Sequence, residues 1–241
     1  PFGRSHRISY KIQTFGSERS VEEQVEYLRE FVTDYKNDLF RRLIAERTSY
    51  VTMVLEDFYQ QHNCSAVLRS CDCFGIQNVH VIENTNSFTD NSEISMGAAD
   101  WLTVHRHRKR ENNTVETIEM LKSQGYRIVA TTPHERDTFI DDIDLHRGKM
   151  AFFMGTELTG LSDDVLSRAD EFVKVPMYGF TESYNVSVCA ALLMYSVVQR
   201  LRQTDIDWHL PEEERYQVLF AWYKRSIKAS AQILERFNHN K

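Results

Sequence analysis

Apolar residues change their spacing twice along this chain. From Val21 to Leu39 they recur every three or four positions (Val21, Val25, Leu28, Val32, Tyr35, Leu39), behind Ser20-Val21-Glu22-Glu23, a capping-box pattern. That spacing predicts a helix from about 20 to 36 and a second helical stretch holding Leu39, Phe40, Leu43 and Ile44. From about Tyr50 the pattern becomes strands alternating with helices. Val51-Thr52-Met53-Val54-Leu55-Glu56 is a continuous β-prone run, as expected of a strand buried on both faces. A helix over 63–74 closed by Gly75 follows, then strands at Val79–Ile82 and Trp101–Val104 and a helix near 113–123 ending at Gly125. Further strands are predicted at Arg127–Thr131, Met150–Met154 and Glu171–Val175, with a helix near 162–169 before the last. Such alternation argues a parallel, helix-covered sheet, whose ligands sit beyond the carboxyl ends of the strands. Thr131, Gly155 and Pro176 lie at such ends.

After the strands the period returns to helical. Asn185 and Ser187 stand at a helix start, followed by Val188, Ala190, Ala191, Leu192, Leu193 and Met194. A polar lip on a helix of small apolar residues reads either as a capped core helix or as a ligand-facing edge wedged into a core or subunit interface. From Pro211-Glu212-Glu213-Glu214 a tail helix begins, with Tyr216, Leu219, Phe220, Tyr223, Ile227, Ala231 and Leu234 in one apolar stripe. Residues 1–16 read as a loosely held basic arm, with Arg4, His6, Arg7 and Lys11.

Composition adds boundaries. The 241 residues suffice for one large domain with appendages, and the net charge of −6 means that any nucleic-acid contact rests on local basic clusters. Those clusters are 4–11, 41–47, 105–110 and 224–228. Cys64, Cys71, Cys73 and Cys189 do not form a disulfide framework, and Cys71-x-Cys73 has the wrong spacing for a zinc knuckle. His105 and His107 sit in a run of basic residues that reads as a solvated face or a polyanion contact, not a ligand set. No metal is expected. No apolar run reaches membrane-span length and Pro1-Phe2-Gly3-Arg4 carries no secretory apolar segment. With reduced thiols, the expectation is a cytoplasmic protein without a membrane anchor.

Three segments could carry chemistry. His62-Asn63-Cys64-Ser65-Ala66-Val67-Leu68-Arg69-Ser70 follows the first strand; Asn63 and Arg69 could flank one cavity, and Arg69 could grip a phosphate or tie the core to a carboxylate. Gly155-Thr156-Glu157-Leu158-Thr159-Gly160-Leu161-Ser162 places two glycines around a Glu at a strand end, where backbone could approach a flat ligand closely. It is neither a Walker loop nor a Gly-x-Gly-x-x-Gly fingerprint. The third runs from Val175-Pro176-Met177-Tyr178 to Ser183-Tyr184-Asn185-Val186-Ser187-Val188.

In this order and spacing the three segments resemble the motifs of the SPOUT superfamily of RNA methyltransferases, specifically the TrmH-type tRNA/rRNA ribose 2′-O-methyltransferases. The resemblance covers about residues 50–200. Arg47-Thr48-Ser49-Tyr50, His62-Asn63 and Ser95-Met96-Gly97-Ala98-Ala99-Asp100-Trp101 look closest to the branch that methylates a D-loop guanosine of tRNA. The resemblance implies an α/β SPOUT-type parallel sheet with helices on both faces, a deep trefoil knot at about 130–200, and extra N- and C-terminal helices. It divides the chain into an arm and helical extension (1–48), a methyltransferase domain (49–203) and a C-terminal helical extension (204–241). It implies a homodimer that takes S-adenosylmethionine, held near Thr131, Thr132, Met154, Gly155, Glu157, Gly160, Val175, Met177, Ser183, Asn185 and Ser187. Arg69 would be the catalytic residue, with Asn63, Glu157, Ser183 and Asn185 shaping the site. RNA would lie against Arg41, Arg42, Arg47, Arg69, Arg106, Arg108, Lys109, Arg110, Lys224, Arg225 and Lys228. Thr156, Cys64 and Cys189 depart from the usual residues at their positions. The alternatives are ribosomal RNA as substrate, or a non-catalytic RNA-binding protein on the same fold.

Overall fold

The computed structural model describes residues 19–133, 137–156 and 159–239; the basic arm expected at 1–16 lies outside them. Helix α1 (Val21–Arg29) opens with the expected capping box, in which Ser20 Oγ accepts from Glu23 N–H and the Glu23 carboxylate accepts from Ser20 N–H. The helix expected to run on to 36 stops here. Thr33 takes an extended conformation and its hydroxyl accepts from Lys36 N–H, so a new helix, α2 (Asp34–Ala45), starts at its own cap.

Strand β1 (Val51–Glu56) is buried throughout. It leads into α3 (Gln61–Phe74), which ends at Gly75 with φ 77°, where a side chain would meet the Glu46 carbonyl at 2.4 Å. Next come β2 (Asn78–Ile82), the single turn α4 (Ser92–Ser95), a 3-10 turn over Ala98–Asp100, β3 (Thr103–His107) and α5 (Thr114–Ser123). The third strand lies a few residues later than the apolar run at 101–104 suggested, because Trp101 turns away into the helical layer and the alternating His105 and His107 take the ladder positions. Strands β4 (Arg127–Thr131), β5 (Thr138–Phe139), β6 (Met150–Met154) and β7 (Glu171–Lys174) follow, with the short α6 (Asp163–Leu166) before β7. Helix α7 (Val186–Leu201) returns across the sheet. The tail is two helices, α8 (Glu212–Ser226) and α9 (Ser230–His239), rather than one. Ile227 adopts an extended conformation that ends α8, and its side chain joins the core cluster of Phe40 and Trp222.

The strands form one sheet in the order β3-β2-β1-β6-β4-β7-β5, every pairing parallel. Side chains of a strand alternate between faces. Val51, Met53 and Leu55 of β1 and Met150, Phe152 and Met154 of β6 therefore join the core beneath α3 and α7. Val54, Ala151 and Phe153 join the opposite core beneath α5 and α6. A third core links α1, α2, α8 and α9 around Trp222. There Tyr223 OH donates to Asn37 Oδ1 at 2.8 Å, and Tyr27 stacks on Phe237 with centroids 4.1 Å apart. Each fully buried large side chain contributes about 1.5–3 kcal/mol, so these clusters hold the terminal helices as firmly as ordinary core.

Candidate active site

The sheet order sets β6, β4 and β7 side by side, so their carboxyl ends at Met154, Thr131 and Lys174 form one edge. Thr131 is in register with Val173, and Thr132 N–H donates to Val173 O at 3.0 Å. The Thr132 hydroxyl is held by Asp137. Thr131 Oγ1 is buried with no hydrogen-bond partner among the described residues. Such an atom costs about 1–3 kcal/mol unless something satisfies it. Met154 is buried as a wall of the edge.

Gly155 leaves β6 where two backbones nearly touch. A Cβ there would fall 2.2 Å from the Gly160 C and O atoms and 2.4 Å from Leu161 N. Thr156 and Gly160 exchange two backbone hydrogen bonds of 3.0 Å, and the Thr156 and Thr159 hydroxyls lie 2.7 Å apart. Glu157 lies outside the described residues. The loop is anchored at its far end by Glu56, a residue to which sequence reasoning gave no role. This buried carboxylate at the end of β1 accepts from Ser162 N–H (2.9 Å), Ser162 Oγ (2.6 Å) and Thr114 Oγ1 (2.8 Å), tying the starts of α5 and α6 to β1. Its signal was its charge at the end of an otherwise uncharged strand.

The second half of the site is the start of α7. Asn185 Oδ1 accepts from Ser187 N–H (2.9 Å), Ser187 Oγ (2.6 Å) and Val188 N–H (3.3 Å). That leaves Asn185 Nδ2 to donate to Asn63 Oδ1 at 3.2 Å. Asn63 is 2% exposed, and its own amide nitrogen donates to Gln60 Oε1. An aspartate at 185 would still cap the helix but would turn a second acceptor toward Asn63. Tyr184 OH donates to Pro176 O at 3.0 Å and closes the loop that carries Met177. Val175, Met177 and Ser187 are half-buried, while Ser183 and Gly160 are exposed.

Arg69 is exposed on α3 and makes no hydrogen bond or ion pair with another described residue. Six residues of helix rotate it about 120° from Asn63, so Asn63 faces α7 and Arg69 faces solvent. The structure thus joins Asn63 to Asn185 and leaves Arg69 at the rim.

The basic residues divide into held and unheld. Arg41, Arg42, Arg108, Lys109 and Lys228 are exposed and form no ion pair with a described residue. Arg47 corrects the sequence-based expectation: it is 4% exposed, pairs with Asp72 and lies over the Trp222 ring at 5.3 Å, so it joins cores instead of meeting a phosphate. Arg106 grips Glu83 through Nε (2.8 Å) and Nη2 (2.5 Å). Burial pushes the Glu83 carboxyl up, but Arg106 and the Phe88 N–H overcome it and hold it below the usual range. Arg110 pairs with Glu116, and Arg225 with Asp100. Lys224 lies over Phe220.

His105 and His107 also depart from the solvated-face reading. Both rings stack on buried His80, at 4.5 Å and 5.2 Å, and His80 Nδ1 lies 2.9 Å from His107 Nε2. Burial lowers all three from the ordinary imidazole value, His107 to about 4. His105 meets Asn78, which donates to Glu214 of α8 at 2.6 Å. Among the described residues no group of His, Cys, Asp and Glu is arranged to hold a metal. No helix of the described residues is long and apolar enough to cross a membrane.

A model described as the SpoU rRNA Methylase family matches residues 50–195. The "tRNA (guanosine(18)-2′-O)-methyltransferase" of Borreliella burgdorferi is 40% identical over 208 residues, covering 86% of this chain and 93% of that protein. The protein of the same description from Thermus thermophilus is 30% identical over 195 residues, covering 80% of this chain and 98% of its own. Among solved structures, the Aquifex aeolicus TrmH/SpoU tRNA modifying enzyme superposes with a TM-score of 0.69 at 23% identity, over 86% of this chain and 98% of that one.

Proposed function

Because the chain belongs to the SpoU rRNA Methylase family, we propose that it transfers a methyl group from S-adenosylmethionine to the ribose 2′-hydroxyl of a tRNA guanosine. The nucleotide named in its relatives, guanosine 18, is the target. The observation that carries this reading is the 3.2 Å contact between Asn185 and Asn63, which joins the first and third motif segments beside the strand end that bears the second.

The residues present fit S-adenosylmethionine. Thr131 Oγ1 is a buried polar atom in want of a partner, and the close approach at Gly155 leaves bare backbone along the sheet edge, where a flat ligand can lie. Thr131, Thr132, Met154, Gly155, Glu157, Gly160, Val175, Met177, Ser183, Asn185 and Ser187 would hold it. The group supplies an electrophilic methyl when bound. Arg69 donates to the ribose 2′-oxygen and an adjoining phosphate. A guanidinium has donors and no acceptor, so its part is to stabilise negative charge on the oxygen as the hydroxyl gives up its proton to solvent. Asn63 and Asn185 fix the geometry around it.

The same reading assigns three parts to the chain, 1–48, 49–203 and 204–241, with a trefoil knot over about 130–200. The insertion of β6 between β1 and β4 and the return of α7 onto α3 support the knot. The protein works as a homodimer through the face of α7 that exposes Val188, Leu192 and Tyr195, and this brings Arg69 to a shared site. The terminal helices and the unheld cations Arg41, Arg42, Arg108, Lys109 and Lys228 receive the RNA, in the cytoplasm.

The test is methylation of an unmodified tRNA transcript with labelled S-adenosylmethionine, followed by nuclease digestion and mass spectrometry. The expected product is 2′-O-methylguanosine, with Arg69→Ala lowering the rate by a factor on the order of 100 or more, as loss of a charge-stabilising donor does. Labelling of ribosomal RNA but not tRNA, or an undiminished Arg69→Ala rate, overturns the assignment.

A further inference from the structure

We propose that Met96 is a specificity-determining residue: its side chain packs against the base of the nucleotide whose ribose Arg69 addresses. This rests on the methyl-transfer reading above.

Met96 is one of two non-glycine described residues with positive φ, at 52°, and it is 68% exposed. Left-handed backbone is costly for a side chain of this size, and an exposed thioether brings no burial in return. The surroundings nevertheless hold it there. Ser95, just before, is fully buried, and Ala98, just after Gly97, is nearly so. Ser95 Oγ donates to Asp90 Oδ2 at 3.0 Å, while Asp90 Oδ1 accepts from Ser65 Oγ of α3 at 3.1 Å. Asn91 N–H donates to the same Ser65 hydroxyl at 2.9 Å, and Asn91 caps α4. Gly97 continues the left-handed path at φ 76°. The segment is therefore bolted to α3 at Ser65, and Arg69 is one helical turn further along the same ridge. A rigid mount thus presents one apolar side chain from a segment packed on α3, the helix that bears the residue assigned to the reacting ribose.

The chemistry of Met suits a nucleobase. Its unbranched, polarisable thioether follows a flat aromatic surface and gains from sulfur–ring contact. Methionine reads shape and stacking rather than hydrogen-bonding edges, so it favours the larger purine surface and pairs naturally with a guanidinium that handles the charged backbone.

The test compares wild type, Met96→Gly and Met96→Leu in the tRNA methylation assay, with a transcript carrying guanosine at the target nucleotide and one carrying cytidine there. Glycine keeps the left-handed backbone without strain, so folding is preserved. For Met96→Gly the expected result is a rise of about tenfold in KM for the guanosine transcript, the upper range of a thioether–aromatic contact, with a reduced guanosine-over-cytidine preference. Met96→Leu restores most of both. Affinity for S-adenosylmethionine, particle mass and melting temperature stay at wild-type values. An unchanged KM and preference in Met96→Gly overturns the proposal, as does a fall in particle mass, which would assign Met96 to a contact between copies. If wild type itself labels no tRNA, the methyl-transfer reading fails and this inference with it; if wild type labels tRNA and Met96→Gly matches it, only the inference fails.

Discussion

Replacing Gly155 by alanine is the sharpest structural test of the cofactor edge. The new Cβ would stand 2.2 Å from the backbone of Gly160, whereas ordinary contact begins at 3.4 Å, so the facing chain must retreat by 1.2 Å, the difference of the two. It has little freedom to do so. Two 3.0 Å hydrogen bonds between Thr156 and Gly160 bind the two sides of the turn, and Ser162, two residues on, is held through both N–H and Oγ by buried Glu56. Overpacking of this kind costs about 1–3 kcal/mol. Spread over a loop that lines the ligand, that cost corresponds to about a 5- to 150-fold weakening of S-adenosylmethionine binding. For a chain of this length it also lowers Tm by about 2–4 °C for each kcal/mol that falls on the fold. Titration calorimetry with S-adenosylmethionine and a thermal melt measure both. Gly125→Ala is the control: its φ of 82° imposes strain but nothing lies within 4 Å, so it should lower Tm without touching affinity. A Gly155→Ala protein that binds the ligand within twofold of wild type and melts normally would refute the reasoning.

Two other outcomes are expected. Arg47→Ala removes the partner of Asp72 and the cation over Trp222, so urea unfolding should lose about 2–4 kcal/mol while KM for tRNA holds; a normal unfolding curve with a raised, salt-sensitive KM would return Arg47 to the RNA surface. Acid should loosen the sheet edge at His80, His105 and His107. The unfolded rings take protons near pH 6.5, but the folded ones resist, His107 until about 4, so stability is complete above pH 7 and drains as pH falls from about 6.5 toward 4. His107 contributes about 1–2 kcal/mol of that loss once solvent screening of its half-exposed ring is allowed for. Unfolding free energy measured from pH 7.5 to 4.5, alongside His107→Gln with its shallower slope, checks this; a flat wild-type profile would sink it.

Much of the domain was legible because local rules and tertiary placement agreed. The apolar runs of β1 and β6 are buried strands, and Gly75, Gly125, Ser162 and Asn185 end or begin helices as their chemistry suggests. Two of the failures share one cause, a partner far away in sequence. Arg47 looked like a surface cation because Asp72 and Trp222 were out of view. His105 and His107 looked solvated because their partner, His80, lies on the neighbouring strand. The breaks near Thr33 and Ile227 each turn on one residue, a local cap and an extended backbone, within otherwise continuous stripes. Strand order carries no local signature, so the meeting of Asn63 with Asn185 could be anticipated only through resemblance of the motifs. Glu56 shows the same limit: it closed a correctly placed strand, yet its grip on two helix starts depends on Thr114 and Ser162, both far along the chain.

The amide of Asn185 has two ends with two employments. Its oxygen stops the first turn of α7 from fraying, and its nitrogen reaches across to α3. Unwinding of that turn and parting of these two helix starts are consequently coupled. An occupant that wedged them apart would melt the turn, and one that drew them together would stiffen it. Such a cleft can signal its own filling through helix order alone, with no hinged flap.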